Sequence, residues 1–207
     1  MEQVLDIYER PYDPKKPVIC FDERPCQLLG DVLMPIPMKP GHVERQDYHY
    51  KRNGTCAALM AVEPLAGYRT VRVTKQKTKK DYAQFMKTLA KSYPEAEKII
   101  LIQDNLNTHN PSSFYETFEA PEAFALSERF EMFYTPKKAS WLNMAEIELS
   151  ALSKQCLNRH IADIATLSKE VYTLAKERNR NKIAIDWQFT KNNARDKFFR
   201  YYKCVKN

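Results

Sequence analysis

The sequence predicts an α/β domain, a mixed β-sheet flanked by helices, and three observations predict it. A strand-like run and a hairpin come first, strands then alternate with helical stripes, and the last third is almost wholly helical. The opening segment, residues 1–17, holds Pro11, Pro14 and Pro17 among charges and is expected to be an extended N-terminal arm, with one domain over 18–207. "VICFDE" (18–23) is a short apolar, β-prone run that ends in acid. Residues 25–53 carry Pro25, Pro35, Pro37 and Pro40 and predict an irregular connection.

"GTCAALMAVEP" (54–64) and "YRTVRVTK" (68–75) predict a hairpin, the second run alternating Val71 and Val73 with Arg72 and Thr74. In 79–93, Tyr82, Phe85, Met86, Leu89 and Tyr93 form a helical stripe with basic flanks. "KIILIQDN" (98–105) is a continuous apolar run, the mark of a strand buried on both faces. Residues 110–129 open with Pro111 and predict one or two short helices. "FEMFYTP" (130–136) predicts a last strand stopped by proline. From Leu142 the chain is expected to be helical, with breaks around 158–163 and 181–188. Three strands, helix, strand, helix, strand, helices is the order of ribonuclease H-like folds.

Composition narrows the function classes. The 43% apolar content suits a globular core, and no stretch approaches the roughly 18 apolar residues of a membrane span. No basic region followed by an apolar run opens the chain, so no signal peptide is expected. Cys20, Cys26, Cys56, Cys156 and Cys204 are odd in number and form no CxxC pair. They predict reduced thiols in a cytoplasmic protein. The four histidines, His42, His49, His109 and His160, are scattered and suggest no histidine-rich metal site. Four glycines leave little room for a phosphate-cradling loop. The net charge of +7 fits a nucleic-acid partner, though a merely basic protein fits it too.

Three carboxylates carry the chemistry. Asp22 ends the first predicted strand and Asp104 the fourth. If those strands are parallel neighbours, both acids emerge side by side and repel unless a cation sits between them. In "SWLNMAEIELSALSKQCL", Leu142, Ala145, Leu149, Leu152 and Cys156 define a buried helix face. Glu146 is expected on the edge of that seam with Asn143 one turn earlier, and Glu148 is expected to point away. Each acid alone has an ordinary alternative: Asp22 an ion pair with Arg24 or a lysine, Asp104 a turn with Asn105 and Asn107, Glu146 an exposed helix acid. Together they favour a metal site.

"VICFDE", "LIQDNLNTH", "SWLNMAEIELSALSKQCL" and "IDWQFTKNNARDKFFRYY" together resemble the DDE transposases of bacterial insertion sequences, in the branch related to the mariner superfamily. The resemblance spans nearly the whole chain. It implies a ribonuclease H-like catalytic domain over 18–207 with C-terminal helices. Asp22, Asp104 and Glu146 would be the catalytic and metal-holding triad, and Asn143 the polar residue preceding its last acid. It also implies two Mg2+ ions with Mn2+ able to substitute, cleavage and strand transfer of double-stranded DNA, and insertion at a TA dinucleotide. The 41 residues between Asp104 and Glu146 exceed the spacing usual in the mariner relatives.

The resemblance further implies a homodimer in the active complex, and a helix-turn-helix segment or chain, expected upstream because Met1 opens on the catalytic block. Lys75, Lys77, Lys79, Lys80, Lys137, Lys138 and Arg159 are candidate phosphate contacts or simply solvated charge. Trp141 could stack on a flipped base or anchor the core. Two other readings stay open: a truncated, non-catalytic DNA- or partner-binding regulator, and a ribonuclease H-like nuclease that only cleaves, such as a junction resolvase.

Overall fold

The computed structural model describes residues 1–33, 36–43, 45, 49–137 and 139–200. In chain order the elements are α1 (Glu2–Tyr8), β1 (Val18–Asp31), β2 (Tyr50–Glu63), β3 (Tyr68–Thr74), α2 (Lys79–Lys91), β4 (Ile99–Gln103), α3 (Ser112–Tyr115) and α4 (Ala120–Glu128). There follow β5 (Phe130–Tyr134), a 3₁₀ turn (Ser140–Leu142), α5 (Ala145–Gln155), α6 (Ile164–Arg180) and α7 (Lys191–Lys197). The sheet order is β3-β2-β1-β4-β5. The three first strands pair antiparallel, whereas β4 runs parallel to both β1 and β5. The mixed α/β sheet that the sequence predicts is therefore the one observed. Among the described residues no helix is long and apolar enough to cross a membrane.

Strand alternation sorts the core into two layers. Ile19, Phe21, Leu59, Ala61, Ile99 and Leu101 face α2, α3 and α4, where Tyr82, Phe85, Met86, Leu89, Phe114 and Leu126 complete one core. The alternate residues Cys20, Val62, Ile100 and Ile102 pack with Val4, Ile7, Met144 and Ala145. Ala58 and Met60 meet Leu149 and Leu152 of α5 and Leu167 and Val171 of α6. All five residues of β4 are buried, as the continuous apolar run predicts for a strand covered on both faces. Helix α2 starts at a capping box in which Thr78 and Asp81 satisfy each other's backbone N–H groups.

Three expectations need correction. Residues 1–17 are not an extended arm throughout: Glu2–Tyr8 is helical, with Val4, Leu5 and Ile7 at most 1% exposed. The prolines begin only at Pro11, and Val4, Leu5 and Ile7 ahead of them give α1 an apolar face. Seven residues are too few for a stable isolated helix, so packing of Leu5 with Leu142 and Ala194 holds α1 in place. Second, β1 does not stop near Glu23 but continues through Pro25 to Asp31, paired with β2, so less of 25–53 is irregular than expected. Pro25 lies beyond Cys20, the last residue paired with β4, where the strand is an edge on that side and a missing N–H is tolerated.

Third, Glu148 does not point away. It is three residues after Ala145 and four before Leu152, hence on the buried seam, and is 2% exposed. Its carboxylate accepts two hydrogen bonds from Arg69 of β3, 2.9 and 2.7 Å, and two from Arg178 of α6, both 2.9 Å. Burial pushes this carboxyl up, but the two guanidiniums outweigh it and hold Glu148 below the usual carboxylate range. Arg69 also donates to Gly67 O at 2.7 Å and to Ile183 O. Gly67 has φ +65°, and a Cβ there would lie 2.6 Å from the Lys182 carbonyl carbon, so only glycine allows this approach. The clamp fixes α5 against the hairpin and α6.

Leu5→Ala should lower stability by about 2–5 kcal/mol in urea unfolding; a loss within about 0.5 kcal/mol would mean α1 does not belong to the core. Glu148→Gln should cost about 3–5 kcal/mol at pH 7, because two guanidiniums lose their counter-charge in a buried site. Glu148's folded value is depressed, so its stabilisation is present above the ordinary value of 4.5 and is lost as pH falls through the folded value. The gap between wild type and Glu148→Gln should accordingly narrow in melts taken below about pH 4.

Candidate active site

The parallel pairing of β1 with β4 sets Val18, Ile19 and Cys20 opposite Ile100, Leu101 and Ile102. Asp22 and Asp104 each stand two residues further on, so the same register carries them to one edge side by side. Asp104 is the first residue past β4, as expected, whereas Asp22 is within β1 rather than at its end. What ends beside Asp22 is its pairing with β4. Asp22 is 9% exposed and Asp104 half-buried.

Asn143 joins the third element to this edge. It is 1% exposed and lies just after the 3₁₀ turn, outside α5 rather than one helical turn before Glu146. Its Nδ2 donates to Phe21 O at 2.8 Å and to Asp22 Oδ2 at 3.3 Å, while its Oδ1 accepts from Ala145 N at 3.2 Å. The start of α5 is thereby tied to the Asp22 segment of β1. Glu146 follows in the first turn of α5, where a negative charge meets the positive end of the helix dipole. It is exposed, not at the edge of the buried seam, because the core-facing positions of this helix are Ala145, Glu148, Leu149 and Leu152.

The electrostatics place the three acids in one field. Burial pushes Asp22 up to about 7; the Glu23 N–H at 2.8 Å opposes this, and the charges of Glu146, Glu23 and Asp104 add to it. Asp104 behaves oppositely: a hydrogen bond from His109 holds its carboxyl below the usual range, against burial.

His109, set aside among the scattered histidines, belongs to this site. It is 2% exposed, with Nδ1 2.5 Å from Asp104 Oδ1 and Nε2 3.0 Å from Glu23 Oε2. Against burial, its contacts with these carboxylates push the imidazole up to about 9. Glu23 is itself 3.4 Å from Lys77 Nζ. The signal was present in "DNLNTH": small polar residues that turn the chain back can return a histidine to the acid five positions earlier, and His109 N bonds Leu106 O at 2.8 Å to close that turn.

Of the basic candidates, Lys77 sits at this edge, its charge also helping to lower Asp104. Lys137 lines a cleft of about 270 Å³ with Asp104, Asn105, Leu106, Thr135, Pro136 and Ser140. Lys75 and Lys80 are exposed and Lys79 pairs with Glu116. Arg159 pairs with Glu170 at 2.8 Å and lines a different depression with Arg24 and Ile161. Lys138 lies outside the described residues. Trp141 is 42% exposed, with its ring 5.3 Å from Phe189 and 6.1 Å from Phe198, so it is both a packing group and a surface one.

Among the described residues no three His, Cys, Asp or Glu side chains already enclose a point that would hold a metal ion. The donor set nevertheless fits a hard divalent cation: carboxylate oxygens from Asp22, Asp104 and Glu146, with the Asp22 charge disfavoured until a cation offsets it. The folded value of Asp22 is raised above its ordinary 3.8, so its contribution to stability is full below that value and is lost as pH rises through about 7. Asp22→Asn should therefore raise the Tm of the metal-free protein, and by more at pH 8 than at pH 5. Equal melting of the two proteins at pH 8 would show that no such penalty exists.

Residues 17–168 match the family model of the DDE superfamily endonucleases. Similar solved structures include the Mos1 mariner paired-end complex with Mn, 14% identical with a TM-score of 0.55 over 88% of this chain and 55% of that one. The Mos1 strand transfer complex is 15% identical, with a TM-score of 0.55 and the same coverage. The mariner Mos1 paired-end complex with Mg is 14% identical, with a TM-score of 0.51 over 88% and 58%. These likenesses show a shared ribonuclease H-like fold, and the chain spans little more than half the length of those proteins. None of the curated proteins matches it in sequence. The family match runs through both strands that lead to the paired aspartates and through helix α5, and the chain belongs to the DDE superfamily endonuclease family.

Proposed function

We propose that this chain is the catalytic domain of a transposase that cuts and joins DNA strands by metal-dependent phosphoryl transfer. The observation that carries the reading is the β1–β4 register, which brings Asp22 and Asp104 together at the edge where Asn143 anchors the helix bearing Glu146. Asp22, Asp104 and Glu146 would hold two divalent cations, Mg2+ or in its place Mn2+. Such ions would activate a water or a DNA 3′-hydroxyl and offset charge on the leaving 3′-oxygen. Asn143 supports Asp22 by donating to Oδ2.

Of the candidate lysines, Lys77 pairs with Glu23 beside the acids and Lys137 lines the cleft that holds Asp104, and both suit phosphates approaching the edge; Lys75 and Lys80 are exposed. Lys79 and Arg159 already have acidic partners and rank lower. Trp141 offers an exposed ring near the start of α5 for stacking. The substrate would be double-stranded DNA, both element ends and target, in a homodimeric complex that acts in the cytoplasm. Recognition of the ends would fall to a helix-turn-helix segment or chain. The similarity to the Mos1 paired-end and strand transfer complexes supports DNA as the partner.

DNA carrying the element's ends should be cleaved, and the freed 3′-ends joined to a second duplex, in Mg2+ or Mn2+. The assay needs the chain both alone and with an upstream DNA-recognition segment supplied. Asp104→Asn and Glu146→Gln should each lower cleavage by about 100-fold or more while leaving DNA binding intact. Cutting without joining would replace the transposase by a nuclease that only cleaves. Equal cutting by wild type and variants would remove these residues from the chemistry, and binding without any cutting would favour a regulatory role.

A further inference from the structure

The candidate site holds a group for which the reaction as described has no use: a buried histidine between two acids. His109 presents Nδ1 to Asp104 Oδ1 at 2.5 Å and Nε2 to Glu23 Oε2 at 3.0 Å. The second contact is an ion pair without the alignment of a full hydrogen bond. With an acceptor oxygen facing each ring nitrogen, the ring keeps no free lone pair with which to bind an ion or take a proton.

The ring is also unable to turn. It stacks on Tyr82 at 5.0 Å and meets Phe21 edge-on at 5.1 Å. Its backbone is held too: Gln103 Nε2 donates to His109 O at 3.0 Å, and Gln103 Oε1 accepts from Tyr82 OH at 2.9 Å.

Asp104, by contrast, is one residue past the end of its strand and half-exposed, a place where a carboxylate would rotate freely. Two donors remove that freedom, and both act on the same oxygen: His109 Nδ1 and, at 3.3 Å, the Leu106 N–H, each on Oδ1. We propose that His109 is a positioning residue, held by Glu23 and Lys77 on its far side, that fixes Asp104 by Oδ1 and leaves Oδ2 as the oxygen available to a divalent cation. The inference rests on the metal-dependent reading of the site. Its physical basis is that a ligand oriented in advance loses less freedom on binding, and removing such outer partners commonly weakens metal binding about 10- to 100-fold.

The two ring nitrogens can be tested separately. The side-chain amide of asparagine places its nitrogen near the position of Nδ1, and that of glutamine near Nε2. His109→Asn therefore keeps a donor for Asp104 and loses the Glu23 contact, whereas His109→Gln does the reverse; both lose the positive charge. Mn2+ binding, read by electron paramagnetic resonance of the free ion, should weaken about 10- to 100-fold in His109→Gln and only a few-fold in His109→Asn.

A merely structural histidine would shift Tm in both variants without separating their Mn2+ affinities, and equal affinities would overturn the proposal. In the wild type, independently of whether either variant folds, the Nδ1–H proton resonance of His109 should persist when Mg2+ saturates the protein. Its loss would mean that the ion displaces the histidine, which also overturns the proposal. If the wild type binds no Mn2+, or Asp104→Asn binds it as well as wild type does, the metal reading itself falls and this inference with it. If wild type binds, Asp104→Asn does not, and the two His109 variants behave alike, only the positioning role falls.

Discussion

The site depends on an electrostatic conflict imposed by the sheet. Three residues of parallel pairing, Val18 to Cys20 against Ile100 to Ile102, are held by apolar layers on both faces, and this pairing forces Asp22 next to Asp104. Asp22 bears the cost of this edge: burial disfavours its charge, and the charges of Glu146, Glu23 and Asp104 add to that. The core around them, with β4 buried along its whole length, is what holds the arrangement in place. Strain of this kind is expected where a fold keeps groups ready for a charged partner.

The protein treats its two aspartates differently. Asp22 is enclosed and receives single hydrogen bonds, from Glu23 N to one oxygen and from Asn143 to the other, which leave its charge destabilised. Asp104 has a histidine against one oxygen and keeps its charge easily. The edge thus pairs an acid whose ionised form is disfavoured with one whose ionised form is secured. Asn143 adds a mechanical link, since the side chain that touches Asp22 also accepts the Ala145 N–H at the start of α5.

A second buried charge cluster acts at longer range. Glu148, Arg69 and Arg178 join α5, β3 and α6, and Asn179 reinforces them by bonding both the N–H and the carbonyl of Arg69, at 2.7 and 2.8 Å. Glu146 and Glu148, two residues apart on one helix, are divided by this packing. One is consumed by guanidiniums on the core side and the other is left exposed in the first turn. A helix with both acids free could present either to the sheet edge; the clamp removes that ambiguity.

Much of this was determined by the chain's local pattern. Apolar alternation in "YRTVRVTK", the unbroken "KIILIQ" and the stripe in 79–93 specify strands and a helix by period alone, and the element order then specifies the sheet. That Asp104 follows a buried strand was legible for the same reason. Other features depend on which groups meet in space. Helix α1, just ahead of the prolines that begin at Pro11, was not legible because a seven-residue helix is stabilised by Leu142 and Ala194, more than a hundred residues away in sequence. Glu148 looked like a surface acid because it is charged, although its spacing from Ala145 and Leu152 puts it on the seam; what spacing cannot show is that Arg69 and Arg178 are buried with it. His109 looked isolated among four scattered histidines, yet a turn, a strand register and an aromatic wall bring it between Glu23 and Asp104. The sequence by itself determined the elements and the acids, since both follow from local spacing; tertiary structure decided which charges are paired, because the field at a carboxylate is made by neighbours that the chain brings from afar.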